Sequence, residues 1–235
     1  MIKAVIFDFD GVIADSEELH FRAFNQTLAS YGVLVDQKVY WQKYLGFTDR
    51  EAYEQMSIDH GLNFTDSKIE WLIDEKAVVF DQLVHSDGVI IDGVLDFLKH
   101  LKDSNIPMAI CSGATLSDIE SVFESTKKRL GIDLAKHFEV IVTADEVKNG
   151  KPDPEGYLIT VEKLREILGV ELEASDCVVI EDSHWGIEAA KAAEMKVIGV
   201  TNSYPAAELE NAADIVVDNL RSLSINDIGK KLSLI

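Results

Sequence analysis

Ala4-Val5-Ile6-Phe7-Asp8-Phe9-Asp10-Gly11-Val12 is the stretch that decides the fold. A short, wholly apolar run ends abruptly on an acid, and near-continuous apolar character of this kind suits a parallel strand covered on both faces. Asp8 and Asp10, at i and i+2, leave the end of that strand on the same side.

Outward from this stretch, short β-branched runs recur at 107–111, 140–142, 178–180, 197–200 and 215–217. Between them lie amphipathic segments such as Val94, Leu95, Leu98, Leu101 and Ile119, Val122, Phe123, Leu130, spaced for one helical face. Alternating strand and helix implies an α/β fold, a doubly wound parallel sheet of the Rossmann-like kind. The gap from Phe7 to Pro107 is several times the roughly thirty residues of an ordinary crossover. Something is inserted there. Asp15-Ser16-Glu17-Glu18 reads as a capping box opening a helix whose stripe of Leu19, Ala23, Phe24, Thr27, Leu28 and Tyr31 stops at Gly32. Helical pattern continues through 50–60 and 67–84 without a strand, so residues 15–85 are expected to form an α-helical cap domain on a core of 1–14 and 86–235.

Composition narrows the function classes. The chain has 235 residues, 47% of them hydrophobic and 27% charged, which is ordinary for a packed domain and excludes a disordered or low-complexity protein. A formal net charge of −20 repels polyanions, so neither nucleic acid nor an acidic membrane is an expected partner. Cys111 and Cys177 sit in apolar runs outside any metal-ligand spacing and read as buried thiols. With no signal-peptide pattern and no apolar run of about 18 residues, the expectation is a cytoplasmic protein, taken as a monomer.

In an open parallel sheet ligands bind beyond the carboxyl ends of the strands, and four such ends carry chemical groups. After Asp8 and Asp10 comes Ile110-Cys111-Ser112-Gly113, a hydroxyl followed by a glycine that admits close backbone approach. Gly150-Lys151-Pro152-Asp153-Pro154 holds a lysine, with Asp153 as expected N-cap and Pro154 as first helical residue. Val179-Ile180-Glu181-Asp182-Ser183 brings a second acid pair. Converging carboxylates repel unless a hard dication and a lysine neutralise them, and magnesium suits that oxygen-rich set. Singly these groups are ordinary: a turn, a strand end, a surface lysine, or acids favouring the start of the next helix near 186–193.

Taken in this order, the four motifs resemble the haloacid dehalogenase superfamily of aspartyl-phosphate enzymes, in the helical-cap branch of β-phosphoglucomutases and sugar-phosphate phosphatases. The resemblance covers nearly the whole chain. It implies Asp8 as nucleophile, Asp10 as general acid and base, Ser112 as phosphate holder and Lys151 as charge balance. It also implies magnesium on Asp8, the Asp10 carbonyl and Asp182, with Glu181 acting through water, and Gly11 and Gly113 against the substrate. In the insert, His20 matches the mutase-like motif D-S/T-x-x-x-H, and Arg50 of Gly46-Phe47-Thr48-Asp49-Arg50 resembles the cap arginine that meets a second anionic group. Lys76 is taken with them as substrate-binding; the ordinary readings are a packed histidine, a helix-start charge and a solvated lysine. His184 and Trp185 edge the fourth motif without a catalytic role.

The resemblance also ranks the reactions. Dehalogenases of this fold dispense with the second aspartate and the metal, and phosphonatases use a cap lysine that 16–31 lacks. A phosphoacceptor receiver domain has about 120 residues and no such insert. Phosphomonoester hydrolysis is the expected reaction, on a small phosphorylated metabolite such as a sugar phosphate. β-Phosphoglucomutase-type transfer is the alternative, disfavoured because Ser112 is followed by Gly113-Ala114-Thr115-Leu116, without the lysine of such mutases. The cap is expected to close over the substrate on hinges near Asp15 and near residues 86–88.

Overall fold

A computed structural model describes residues 2–87, 90–221 and 223–232. Six strands, β1 (Ala4–Phe7), β2 (Met108–Cys111), β3 (Val140–Val142), β4 (Cys177–Glu181), β5 (Lys196–Val200) and β6 (Ile215–Val217), form one parallel sheet. Their order is β3-β2-β1-β4-β5-β6, so the winding reverses between β1 and β4. That is the switch point at which a doubly wound sheet opens a crevice.

Alternation along each strand explains why both faces are apolar. Val5, Phe7, Ile110, Val178 and Ile180 pack on one side against helices α5 (Val94–Asp103) and α6 (Leu116–Leu130). Ala4, Ile6, Ala109, Cys177 and Val179 pack on the other against α7 (Glu155–Leu168) and α8 (His184–Ala192). The short α9 (Ala206–Leu209) and α10 (Ile225–Lys231) complete the two layers.

The insert after β1 is helical throughout, as expected: α1 (Glu17–Leu28), α2 (Gln37–Lys43), α3 (Asp49–Asp59) and α4 (Asp66–Asp87). Phe24, Leu28, Tyr40, Tyr53, Met56 and Leu72 give it a hydrophobic cluster of its own. Two helices run through both cores. On α1, Leu19 and Ala23 belong to the sheet-face cluster and Phe24 and Leu28 to the insert; on α4, Ile69 and Leu72 belong to the insert, Phe80 and Val84 to the sheet face. The boundary expected at 85/86 therefore falls inside α4. Of the second expected hinge, Ser86 and Asp87 end α4 and Gly88 lies outside the described residues.

Two local readings are corrected. Ser16 precedes α1 but makes no side-chain cap, because its hydroxyl is drawn to Asp10 instead; the capping box of the insert is Thr48 with Glu51, which opens α3. The first helix ends at Leu28, and a tight 3₁₀ turn over Ala29–Tyr31 carries the chain to Gly32 in a left-handed conformation. A third is corrected as well: the N-cap of α7 is Pro154 and not Asp153, which stands one position earlier, its Oδ1 accepting from the N–H of Glu155 at 2.9 Å.

Candidate active site

Register builds the floor of the site. Phe7 of β1 lies opposite Ile180 of β4, so the residue after Phe7 and those after Ile180 emerge side by side. Asp8, Glu181 and Asp182 are buried there, each with a carboxylate oxygen within 4.8 Å of the others. From the loop before α7, Lys151 Nζ donates to Asp8 Oδ1 at 2.5 Å and to Glu181 Oε1 at 2.6 Å. Tyr157 of α7 donates its hydroxyl to the same Oε1 at 3.0 Å. Glu181 Oε2 accepts from the N–H groups of Asp182 and Ser183, each at 3.0 Å, and from the Ser183 hydroxyl at 2.9 Å. Asp182 Oδ2 takes the Ser203 hydroxyl.

Two glycines make this density possible. Gly11 has φ +75°, and a Cβ on it would stand 1.9 Å from Asp182 Oδ2; on Gly186 a Cβ would stand 1.6 Å from Glu181 Oε1. Neither position admits a side chain without moving a carboxylate. Asn202 donates to the Gly11 carbonyl at 2.7 Å and ties the Asp10–Gly11 turn to the end of β5.

Asp8 and Asp10 are two residues apart in different surroundings. Burial, with Glu181 and Asp10 adding to it against the pull of Lys151, pushes Asp8 up to about 8. Burial likewise raises Asp182, and neighbouring Glu181 and Asp8 raise it further. Asp10 goes the other way: its burial is outweighed by His20, the Ser16 hydroxyl and Lys76, which hold it below the ordinary carboxylate range. Asp10 Oδ1 accepts from Ser16 and meets His20 Nε2 at 3.3 Å, while Lys76 Nζ sits 2.8 Å from His20 Nδ1. An ammonium facing Nδ1 leaves the ring proton on Nε2, directed at Asp10.

The floor suits a hard dication. Three buried carboxylates gather around one lysine, which reaches Asp8 and Glu181, and burial, with the surplus negative charge added to it, raises Asp8 and Asp182. A divalent oxygen-seeking ion among these carboxylates would supply the missing charge.

Ser112 follows β2 directly beside this floor, its Oγ accepting from the N–H of Ala114 at 3.0 Å. A Cβ on Gly113 would meet nothing within 4 Å, so the space above its backbone belongs to the cleft. The insert supplies the roof with Glu17, His20, Tyr40, Phe47, Thr48 and Asp49. Trp185 lines the cleft and packs on Gly46 of the insert, whereas His184 turns aside to Tyr204 and Glu208.

Asp8, Asp10, Gly11, Ser112, Gly113, Lys151, Glu181, Asp182 and His20 are thus brought to one place. Arg50 and Lys76 are not brought to the cleft surface. Arg50 is half exposed and turns to Glu70 and Glu54, at 3.4 and 3.9 Å, because the opening of α3 directs it away from the floor. Lys76 is fully buried beneath the roof, held by both oxygens of Asp49 at 2.6 and 2.8 Å. Ser16, Tyr157, Asn202 and Ser203 were not foreseen. The end of β5, Thr201-Asn202-Ser203, obeys the same strand-end rule as the four chosen motifs and would have disclosed two of them.

Known proteins resemble this chain in sequence and in fold. The chain is 34% identical over 207 residues to a phosphorylated carbohydrates phosphatase of Thermotoga maritima, covering 86% of this chain and 87% of that one. It is 31% identical over 229 residues to validoxylamine A 7′-phosphate phosphatase of Streptomyces hygroscopicus subsp. limoneus, covering 97% and 99%. Among solved structures, β-phosphoglucomutase from Clostridium difficile superposes with a TM-score of 0.84 at 27% identity, covering 100% of this chain and 98% of that one. The family profile described as haloacid dehalogenase-like hydrolase matches residues 5–200, and the chain belongs to that family.

Proposed function

We propose that this chain is a magnesium-dependent phosphomonoesterase that hydrolyses a small phosphorylated metabolite, of sugar-phosphate type, through a phosphoryl group carried on Asp8. One observation carries the reading: Asp8 lies in a floor of Lys151 and carboxylates, while Asp10, two residues on, is set against Ser16 and His20. The first setting suits charge on phosphorus and the second suits proton transfer. The relatives' names, a phosphatase of phosphorylated carbohydrates and one of a 7′-phosphate, support the substrate class.

Asp8, Asp182 and the Asp10 carbonyl would hold the ion, with Glu181 behind them. When bound, magnesium supplies positive charge to the phosphoryl oxygens and keeps Asp8 ionised. Asp8 attacks phosphorus in line with the ester oxygen, and the ester P–O bond breaks as the new one forms. Lys151 and the Ser112 hydroxyl hold the equatorial charge. Asp10, ionised in the free site, takes up a proton from solvent as the phosphate dianion enters and before the site closes, and gives that proton to the departing alkoxide. Ionised, it then takes a proton from the water that attacks phosphorus, and phosphate leaves Asp8. The segment Gly113–Thr115 carries no lysine to steady a second sugar hydroxyl, which favours water over the transfer of a mutase. Residues 15–85 act as the cap that shuts out bulk water, the remainder as the core. Its two free, buried thiols suit a reducing cytoplasm, where it works as a monomer.

The test is phosphate release from a panel of sugar, polyol and nucleotide monophosphates, with magnesium or with chelator. Turnover that needs magnesium and falls by at least about 10³-fold in Asp8→Asn is expected. No hydrolysis, with β-glucose 1-phosphate converted to glucose 6-phosphate when a trace of the bisphosphate is present, overturns it in favour of the mutase.

A further inference from the structure

Below the cleft stands one lysine; above it the nearby cations are already paired with acids. Lys151 is the only side chain of permanent positive charge among the described residues lining the cleft, and it is occupied by Asp8 and Glu181. On the roof, Asp49 takes Lys76 with both oxygens, and Lys76 also meets His20 and, at 3.7 Å, Asp118 of α6. Fully buried, Lys76 offers nothing to a ligand. Arg50 is paired with Glu54 and Glu70 on the outer side.

Glu17, at the start of α1, is the roof group with spare capacity. Its Oε1 accepts from the Tyr40 hydroxyl at 2.6 Å, which fixes the carboxylate, and no hydrogen bond reaches Oε2 from the described residues. Around it Tyr40, Phe47 and Trp185 offer aromatic surface. A fixed acceptor among apolar rings recognises a hydroxyl-bearing ring, and an anion in its place would face Glu17, with Lys76 already spent on Asp49 and Arg50 turned outward.

We infer that the ester this cleft takes carries one phosphate and no second anionic group, its leaving group being an uncharged hydroxylated ring that donates a hydrogen bond to Glu17. This deepens the proposed function and rests on it. It reverses the expectation that Arg50 meets a second anionic group of the substrate and that Lys76 binds substrate beside it.

The test uses esters that share a C6 phosphate and differ at C1: glucose 6-phosphate, 6-phosphogluconate and glucose 1,6-bisphosphate. Affinities are measured by calorimetry on Asp8→Asn protein with magnesium, and kcat/KM on the unaltered enzyme. The neutral ester is expected to exceed each doubly anionic one by at least about tenfold, the order set by like-charge repulsion at the roof. Glu17→Gln is expected to weaken binding of the neutral ester and to shrink the ratio by about fivefold or more. Equal or tighter binding of the charged esters, no measurable binding of any of the three, or an unchanged ratio in Glu17→Gln overturns the inference. Because calorimetry needs no turnover, an enzyme that hydrolyses none of them yet keeps the affinity order contradicts the proposed hydrolysis and not this inference.

Discussion

Two aspartates separated by one phenylalanine end up with opposite tendencies because their neighbours differ, not because the backbone does. Asp8 shares a buried pocket with Glu181 and Asp182, and burial with the charge of Glu181 raises it; Asp10 is set against Ser16 and His20, which lower it. The pair is a division of labour built from a strand end and a turn. The arrangement depends on residues with no side chain. Gly186→Ala places a methyl within 1.6 Å of Glu181 Oε1, so Glu181 must move and release Lys151. Urea unfolding is expected to show a loss of roughly 1–3 kcal/mol with the m-value unchanged, together with loss of most activity. A loss under about 0.5 kcal/mol with full activity contradicts that role for the glycine. The chemical residues were legible in the sequence because each follows an apolar run, whereas Gly186 and Tyr157 were not, since their importance exists only once Glu181 has been folded beneath α8.

Among the elements, strands were easier to read than helix limits. Burial on both faces leaves a continuous apolar signal in β1, β2 and β4. The insert's helices share their faces between two cores, so the periodicity of α1 and α4 carries no mark of where one core gives way to the other. Helix α2 escaped the sequence reading; seven residues long and half polar, it is held by Tyr40 and by contacts at its end. There Lys43 Nζ approaches Asp59 Oδ2 of α3 to 2.5 Å and the Tyr44 hydroxyl donates to it at 2.6 Å. These bonds, Lys43 foremost, lower Asp59 from 3.8 to about 2. A depressed folded value contributes stability that is present above the unfolded value and lost as pH falls through the folded one. Asp59→Asn is therefore expected to cost up to about 1 kcal/mol at neutral pH, since the pair is partly exposed, and progressively less as pH drops through 4 toward 2. A cost independent of pH contradicts the pairing of α2 with α3.

At the scale of the whole molecule, a chain of net charge −20 is built to act on an anion, which requires positive charge where the substrate sits. Lys151 is one source, and a dication held by the carboxylates of Asp8, Glu181 and Asp182 would be the other. Magnesium at about a hundredfold over its dissociation constant adds roughly 2.7 kcal/mol to stability. For a chain of this size that is a rise in Tm of about 5–10 °C. Scanning calorimetry should show the rise in the unaltered protein and in Asp59→Asn but not in Asp182→Asn; an equal rise in Asp182→Asn would place the ion elsewhere. What the whole account turns on is the bond from Asp8 to phosphorus. The most direct measurement is an acid quench during turnover of the best substrate, followed by borohydride reduction and peptide mass spectrometry, which converts a phosphorylated aspartate to homoserine. Homoserine at position 8, with Asp10 unchanged and no conversion in chelator, is the predicted result. Continuing turnover with Asp8 intact, or with the label at another residue, would contradict it.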